Sequence, residues 1–136
     1  MIGWAMYFVF HIMAIFYARC KLHRLIEISD DGKSVFPAVS IIKPLTGVDC
    51  NLLSNLETFF TLKYPQYELL FCLENEDDPA LMLVQSLVAK FPNVDAQIFV
   101  GGQRIGVNPK INNMMPGYQA SKYDLILISD AGMRST

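Results

Sequence analysis

The first eighteen residues, Met1 to Ala18 (MIGWAMYFVFHIMAIFYA), carry no formal charge and one clearly polar side chain, His11. As a helix this run is about 27 Å long, close to the hydrocarbon thickness of a thin bilayer. Trp4 and Tyr7 lie toward one end and Tyr17 at the other, where amphipathic rings favour the membrane interface. Arg19, Lys21 and Arg24 follow before the first acid, Glu27. A cleaved signal peptide would carry its charge before the apolar run and small residues after it. A buried core helix of this length would show an amphipathic face. The run is therefore expected to be a transmembrane anchor over residues 1–18, with His11 as a neutral, packed imidazole. The one-sided basic flank places everything after it in the cytosol.

Residues 19–37 read as a basic flank and linker, with Asp31-Gly32 as a turn signal and Pro37 at the end. From there apolar runs of two periods alternate. Ala38–Lys43 is a β-branched run stopped by Pro44. Asn51–Phe60 sets Leu52, Leu53, Leu56, Phe59 and Phe60 at helical spacing. Tyr67–Leu73 is a second strand, and Pro79–Phe91 a second helix with Leu81, Val84, Leu87, Val88 and Phe91 on its apolar face. Ala96–Val100 is a third strand. Lys110–Ala120 is a short helix that Pro116-Gly117 bends or shortens, and Tyr123–Ser129 is a fourth strand. Strands alternating with helices predict an α/β fold with a parallel sheet and right-handed crossovers over residues 38–136. Ligands of such sheets sit beyond the carboxyl ends of the strands, where strand order reverses. That rule predicts a central first strand, with Asp78 and Asp130 close together across one crevice.

The net charge of −2 leaves no basic stripe for nucleic acid. With 52% hydrophobic residues the chain is too apolar to be disordered. Cys20, Cys50 and Cys72 are odd in number and widely spaced, which predicts reduced thiols rather than a disulfide framework or zinc site.

Four polar segments follow strand ends. Glu74-Asn75-Glu76-Asp77-Asp78 concentrates four carboxylates, although Asp78-Pro79 is also an ordinary N-cap with a proline at N1. Ser129-Asp130-Ala131-Gly132 leaves room for a ligand phosphate and a hard divalent ion, or is simply a turn. Residues 101–113 contain glycines that admit a close backbone, Lys110, and the amides of Asn112 and Asn113. This segment matches neither G-x-x-x-x-G-K-S/T nor G-x-G-x-x-G, and a surface loop leading into a capped helix is its plainer reading. Lys43 to Asp49 lines a crevice or makes a strand-to-helix turn. The histidines, His11 and His23, stand in the anchor and its flank, so no Ser-His-Asp or Cys-His arrangement is available.

The runs PAVSIIKPLTGVDCNLLSNLETFFTLKYPQYELLFCLENEDDPA and GGQRIGVNPKINNMMPGYQASKYDLILISDAG resemble the amino-terminal part of the ceramide glucosyltransferase family. These are inverting, processive-type nucleotide-sugar transferases with a Rossmann-like GT-A domain. The resemblance covers residues 37–132 almost without gaps. It implies that Asp78 lies at the nucleotide and Asp130 at a diphosphate-bound Mg²⁺ or Mn²⁺. Pro44 and Leu45 would border the uracil pocket, and Lys110 and Asn113 would lie in the donor loop. The implied reaction moves glucose from UDP-glucose to ceramide, on the cytosolic face of the Golgi membrane. The family's third acidic position, which supplies the catalytic base, and its Q-x-x-R-W element have no counterpart up to Thr136. The chain is therefore expected to be a donor-binding fragment, with the base beyond Thr136. The open alternative is a non-catalytic membrane-anchored fragment that binds nucleotide or associates with a partner. An uncovered fourth strand would favour association, including a homo-oligomer. A receiver-like signalling domain would need its paired acids after the first strand, not the second.

Overall fold

The computed structural model describes residues 2–22 and 36–135. The chain divides into two compact units, Met1–Val35 and Phe36–Thr136. Most of the expected linker, with Arg24, lies outside the described residues.

In the first unit, α1 (Ile2–Tyr17) continues into a π-helical turn over Ala18–Leu22. Residues Gly3–Lys21 form a helix long and apolar enough to cross a membrane by length and composition, and none of that stretch is buried within the protein. An apolar surface on all sides suits lipid rather than a soluble core. The His11 imidazole donates through Nδ1 to the Tyr7 carbonyl at 3.2 Å, so its polar group is satisfied within the helix. Arg19 and Lys21 stand in the closing turn, where they complement the negative end of the helix dipole.

The second unit is a four-stranded parallel sheet in the order β3-β2-β1-β4. The strands are β1 (Val39–Leu45), β2 (Tyr67–Leu73), β3 (Ala96–Val100) and β4 (Leu125–Ile128). The helices are α2 (Leu52–Phe60), α3 (Pro79–Lys90) and α4 (Pro109–Ala120). Alternation sorts β2 between two cores. Leu69, Phe71 and Leu73 pack with Leu52, Leu56, Phe60, Val84 and Leu87 of α2 and α3. Leu70 and Cys72 pack with Ile42, Phe99, Ile126 and Met114 of α4. Burial on both faces explains why β2 reads as a continuous apolar run. Strand order grows outward from β1 to β3 and then returns to β4 beside β1. The reversal falls between β1 and β4, so the first strand is internal as the sequence implies.

Two prolines act otherwise than the sequence reading expects, and β4 is confined to Leu125–Ile128 within the expected Tyr123–Ser129. Pro44 does not stop β1. The strand runs to Leu45, with Pro44 in register with Cys72. Pairing with β4 ends at Ile42, whose carbonyl accepts from the Ser129 N–H at 2.9 Å. Residue 44 faces the same side of the strand as residue 42, so its missing N–H falls where no ladder partner is needed. Pro116 likewise does not shorten α4, which is continuous to Ala120. It removes one backbone donor, and the carbonyl released by it, that of Asn112, accepts the Gln103 N–H at 2.9 Å instead.

Three buried polar side chains tie the sheet together. Glu68, fully buried on β2, accepts from Ser40 Oγ and from the Lys122 N–H, each at 2.6 Å. Ser40 Oγ in turn accepts the Tyr123 N–H at 3.2 Å. This network fixes the α4–β4 turn at the amino end of the sheet. Lys43, also fully buried, secures the opposite end and belongs to the site.

Candidate functional site

The carboxyl ends of β1, β2 and β4 and the first turn of α4 enclose a crevice of about 330 Å³. Its walls are Pro44 and Thr46 after β1, Glu74 after β2, Lys110 and Asn113 on α4, and Asp130 after β4. A larger cavity of about 930 Å³ adjoins it on the β3 side, under the 101–107 loop, sharing Glu74 and Asn113. Both open at the sheet edge where strand order reverses.

Asp130 stands just past β4, and its carboxylate is paired with the Lys110 ammonium. Both side chains are about half exposed or more, so the pair is open to exchange with an incoming ligand. Lys43 holds the backbone beneath it: its Nζ donates to Ser129 Oγ at 3.0 Å and to the Asp130 carbonyl at 3.1 Å. The ammonium also sits 3.7 Å from the Phe59 ring centroid. Burial pulls the Lys43 amine down to about 8, a shift that the Asp130 charge opposes. A buried lysine aimed at the strand-four turn is the least visible member of the site, since in sequence it is one polar letter in an apolar run.

Asn113 is 7% exposed; its Nδ2 donates to the Cys72 carbonyl at 3.1 Å. Its Oδ1 is buried without a hydrogen-bond partner among the described residues. An orphaned acceptor of this kind costs stability unless something donates to it.

The structure thus gathers Pro44, Lys110, Asn113 and Asp130 at one crevice and leaves two expected residues out of its walls. Leu45 points into the α2–α3 core at 1% exposure. Asp78 spends its carboxylate on backbone. It caps α3 through the Ala80 N–H at 2.8 Å and takes the Gly47 N–H at 3.1 and 2.9 Å. Glu74, four residues earlier, is the acid that lines both cavities. The sequence offered five polar positions in a row after β2 and no signal for which of them turns inward.

Among the described residues no three His, Cys, Asp or Glu side chains cluster as a metal cage. The donor set is two exposed carboxylates that line one crevice, Asp130 and Glu74. That suits Mg²⁺ or Mn²⁺ carried with a diphosphate, since such ions keep water and phosphate ligands and need few from protein. It does not suit zinc, which takes three or four nitrogen and sulfur ligands.

Comparison with known proteins agrees with this architecture. The chain is similar to ceramide glucosyltransferase 3 of Caenorhabditis elegans, 49% identical over 93% of this chain and 27% of the relative. Ceramide glucosyltransferase 1 of the same organism is 47% identical, with 93% and 26% covered. The Candida albicans ceramide glucosyltransferase is 32% identical, with 93% and 25% covered. The chain therefore spans about a quarter of the length of these relatives. In fold it is similar to a mannosyltransferase of Pyrobaculum calidifontis solved with GDP-Man and Mn²⁺, at a TM-score of 0.62 and 17% identity. That match covers 90% of this chain and 35% of the other. The sheet and its helices accordingly share the GT-A-like fold of that mannosyltransferase over the matched part. Residues 6–136 match the family described as "Glycosyl transferase family 21", and the chain belongs to that family of glycosyltransferases.

Proposed function

We propose that this chain is the membrane-anchored, donor-binding part of a ceramide glucosyltransferase, which transfers glucose from UDP-glucose to ceramide. Family membership and the similarity to named ceramide glucosyltransferases support the reaction class. The observation that carries the site is the placement of Asp130 and Lys110 together at the β1–β4 switch point.

In this reading the β-phosphate enters between Asp130 and Lys110. Lys110 leaves the carboxylate for a phosphate oxygen, a move within reach of a flexible four-carbon stem. Asp130 is then free to hold a divalent ion, which when bound neutralises charge on the leaving diphosphate. Pro44 and Thr46 bound the crevice on the β1 side. The orphaned Oδ1 of Asn113 supplies an acceptor for a ligand N–H or O–H, and Glu74 supplies a second. Lys43 keeps the Ser129–Asp130 backbone in place without touching the ligand. Asp78 contributes by fixing the β1–α2 loop through Gly47. The base that takes the proton from the acceptor hydroxyl is assigned to a part of the whole enzyme outside residues 1–136. The apolar helix supports membrane association, and the proposed setting is the Golgi membrane with residues 25–136 in the cytosol.

Equilibrium dialysis of UDP against the 1–136 chain in detergent, with and without Mn²⁺, tests this reading. We expect the ion to tighten UDP binding by about tenfold or more, the worth of a charge-assisted contact. Asp130→Asn should abolish that gain while leaving the metal-free affinity nearly unchanged. Equal affinity with and without the ion would sink the proposal.

A further inference from the structure

The wall of the larger cavity is a loop, residues 101–108, without regular structure of its own, and three separate features of the chain converge to hold it on one turn of α4. The first is Pro116. Its missing N–H leaves the Asn112 carbonyl without a helical partner, and the Gln103 N–H takes the vacancy at 2.9 Å. The second is the Asn112 side chain. Its Oδ1 accepts the N–H groups of Ile105 and Gly106, each at 3.0 Å, and its Nδ2 donates to the Gly106 carbonyl at 3.0 Å. The third is Gly102. A Cβ there would stand 2.8 Å from the Asn112 carbonyl oxygen and 3.1 Å from Asn113 Cα, so any side chain would force the loop off the helix.

We infer that Asn112 and Pro116 are positioning residues for the donor site: they clamp the 101–106 backbone to α4 and so set the width of the cavity beside Glu74 and Asn113. The inference deepens the nucleotide-sugar reading above and rests on it. Asn112 touches no reacting atom in this scheme. All three of its side-chain bonds go to loop backbone, and it reaches the ligand only through the wall it shapes. The neighbouring Asn113 has the complementary task, with one amide atom on the β2 backbone and the other without a partner among the described residues. The clamp is a loop's substitute for a ladder. Gly101 still donates to the Leu73 carbonyl at 3.1 Å as an extension of the β2–β3 pairing, and beyond it Gln103, Ile105 and Gly106 bond to Asn112 of α4. A proline in a helix interior removes a backbone donor and is costly in the general case. Here the freed carbonyl is fully used, which gives the proline a structural reason to be at that position.

Amide hydrogen exchange on the full 1–136 chain in detergent tests the clamp residue by residue. Asn112→Ala should speed exchange at Ile105 and Gly106 by about tenfold or more, the loss of one or two hydrogen bonds. It should leave Gln103 protected, because that bond uses backbone. Pro116→Ala should do the reverse. A restored helical N–H competes for the Asn112 carbonyl, so Gln103 loses protection while Ile105 and Gly106 keep theirs. Asn112→Asp retains the acceptor for both amides and should rescue them. Each deprotecting variant should also weaken Mn²⁺-dependent UDP binding several-fold, while the amides of β1 and β2 keep their protection. Exchange that rises uniformly across 101–108 in every variant, or that does not change, overturns the clamp. Deprotection with unaltered UDP affinity overturns its bearing on the donor. A wild-type chain with the predicted exchange pattern and no metal-dependent UDP binding would leave the clamp standing and remove the functional reading.

Discussion

Cys72 illustrates how one side chain can be set by the elements on either side of it. It lies on β2, fully buried against α4, and burial pushes its thiol up to about 11. In the unfolded chain the thiol titrates near 9. Between those values the folded protein keeps a proton that the unfolded chain has lost. The contribution to stability is therefore complete below pH 9 and disappears as pH rises to 11. Chemical denaturation of the wild type and of Cys72→Ala across pH 8–11 should show the wild type losing stability relative to the variant by up to about 3 kcal/mol. Two parallel curves would mean that the thiol is not sequestered. Cys50, which is exposed, provides the contrast: it should react with iodoacetamide in the folded protein at pH 8 while Cys72 does not.

At the scale of elements, α4 does the most with the least favourable sequence. It carries Pro116 and Gly117 in its interior, and both are explained by what the helix touches. Gly117 lies against β2 so closely that a Cβ would stand 2.6 Å from Cys72 Sγ. Gly117→Ala should destabilise the protein by about 1–3 kcal/mol, despite alanine's better helix propensity. Cys72→Ala in the same chain should recover a substantial part of that loss, a coupling that chemical denaturation of the double variant would measure. If the two changes simply add, the close packing is not what excludes a side chain. The strand and helix order was legible because β2 is covered on both faces and α2 and α3 on one, which writes the two periods plainly into the sequence. The polar contacts were not. Ser40 and Glu68 bond to each other and to N–H groups of residues 122 and 123, and only the return of the chain to β4 brings those groups there. Asp78 read equally as a helix cap and as a ligand residue. The decisive fact, the Gly47 N–H facing it, belongs to a different loop. Lys43 read only as the start of a segment that lines a crevice or makes a turn, since nothing near it in sequence reveals that the turn after β4 will meet it.

The chain combines an apolar helix with a sheet edge that carries Asp130 and Glu74, and the basic residues Arg19 and Lys21 support the orientation proposed for it. An N-x-S/T acceptor engineered into residues 27–37 should remain unglycosylated in microsomes. Modification there would place the sheet in the lumen and exclude a cytosolic donor site. The parallel sheet also has a temporal side. β1, β2 and β3 are joined by successive short crossovers, each closed within a few tens of residues. The crevice instead lies between β1 and β4, and the contact that locks its floor, from Lys43 to Ser129, joins positions 86 residues apart. A contact of that separation adds to the non-local pairings of the sheet, which slow folding in general. The smaller crevice is therefore complete only when β4 has docked beside β1, because Asp130 reaches it on the turn after that strand.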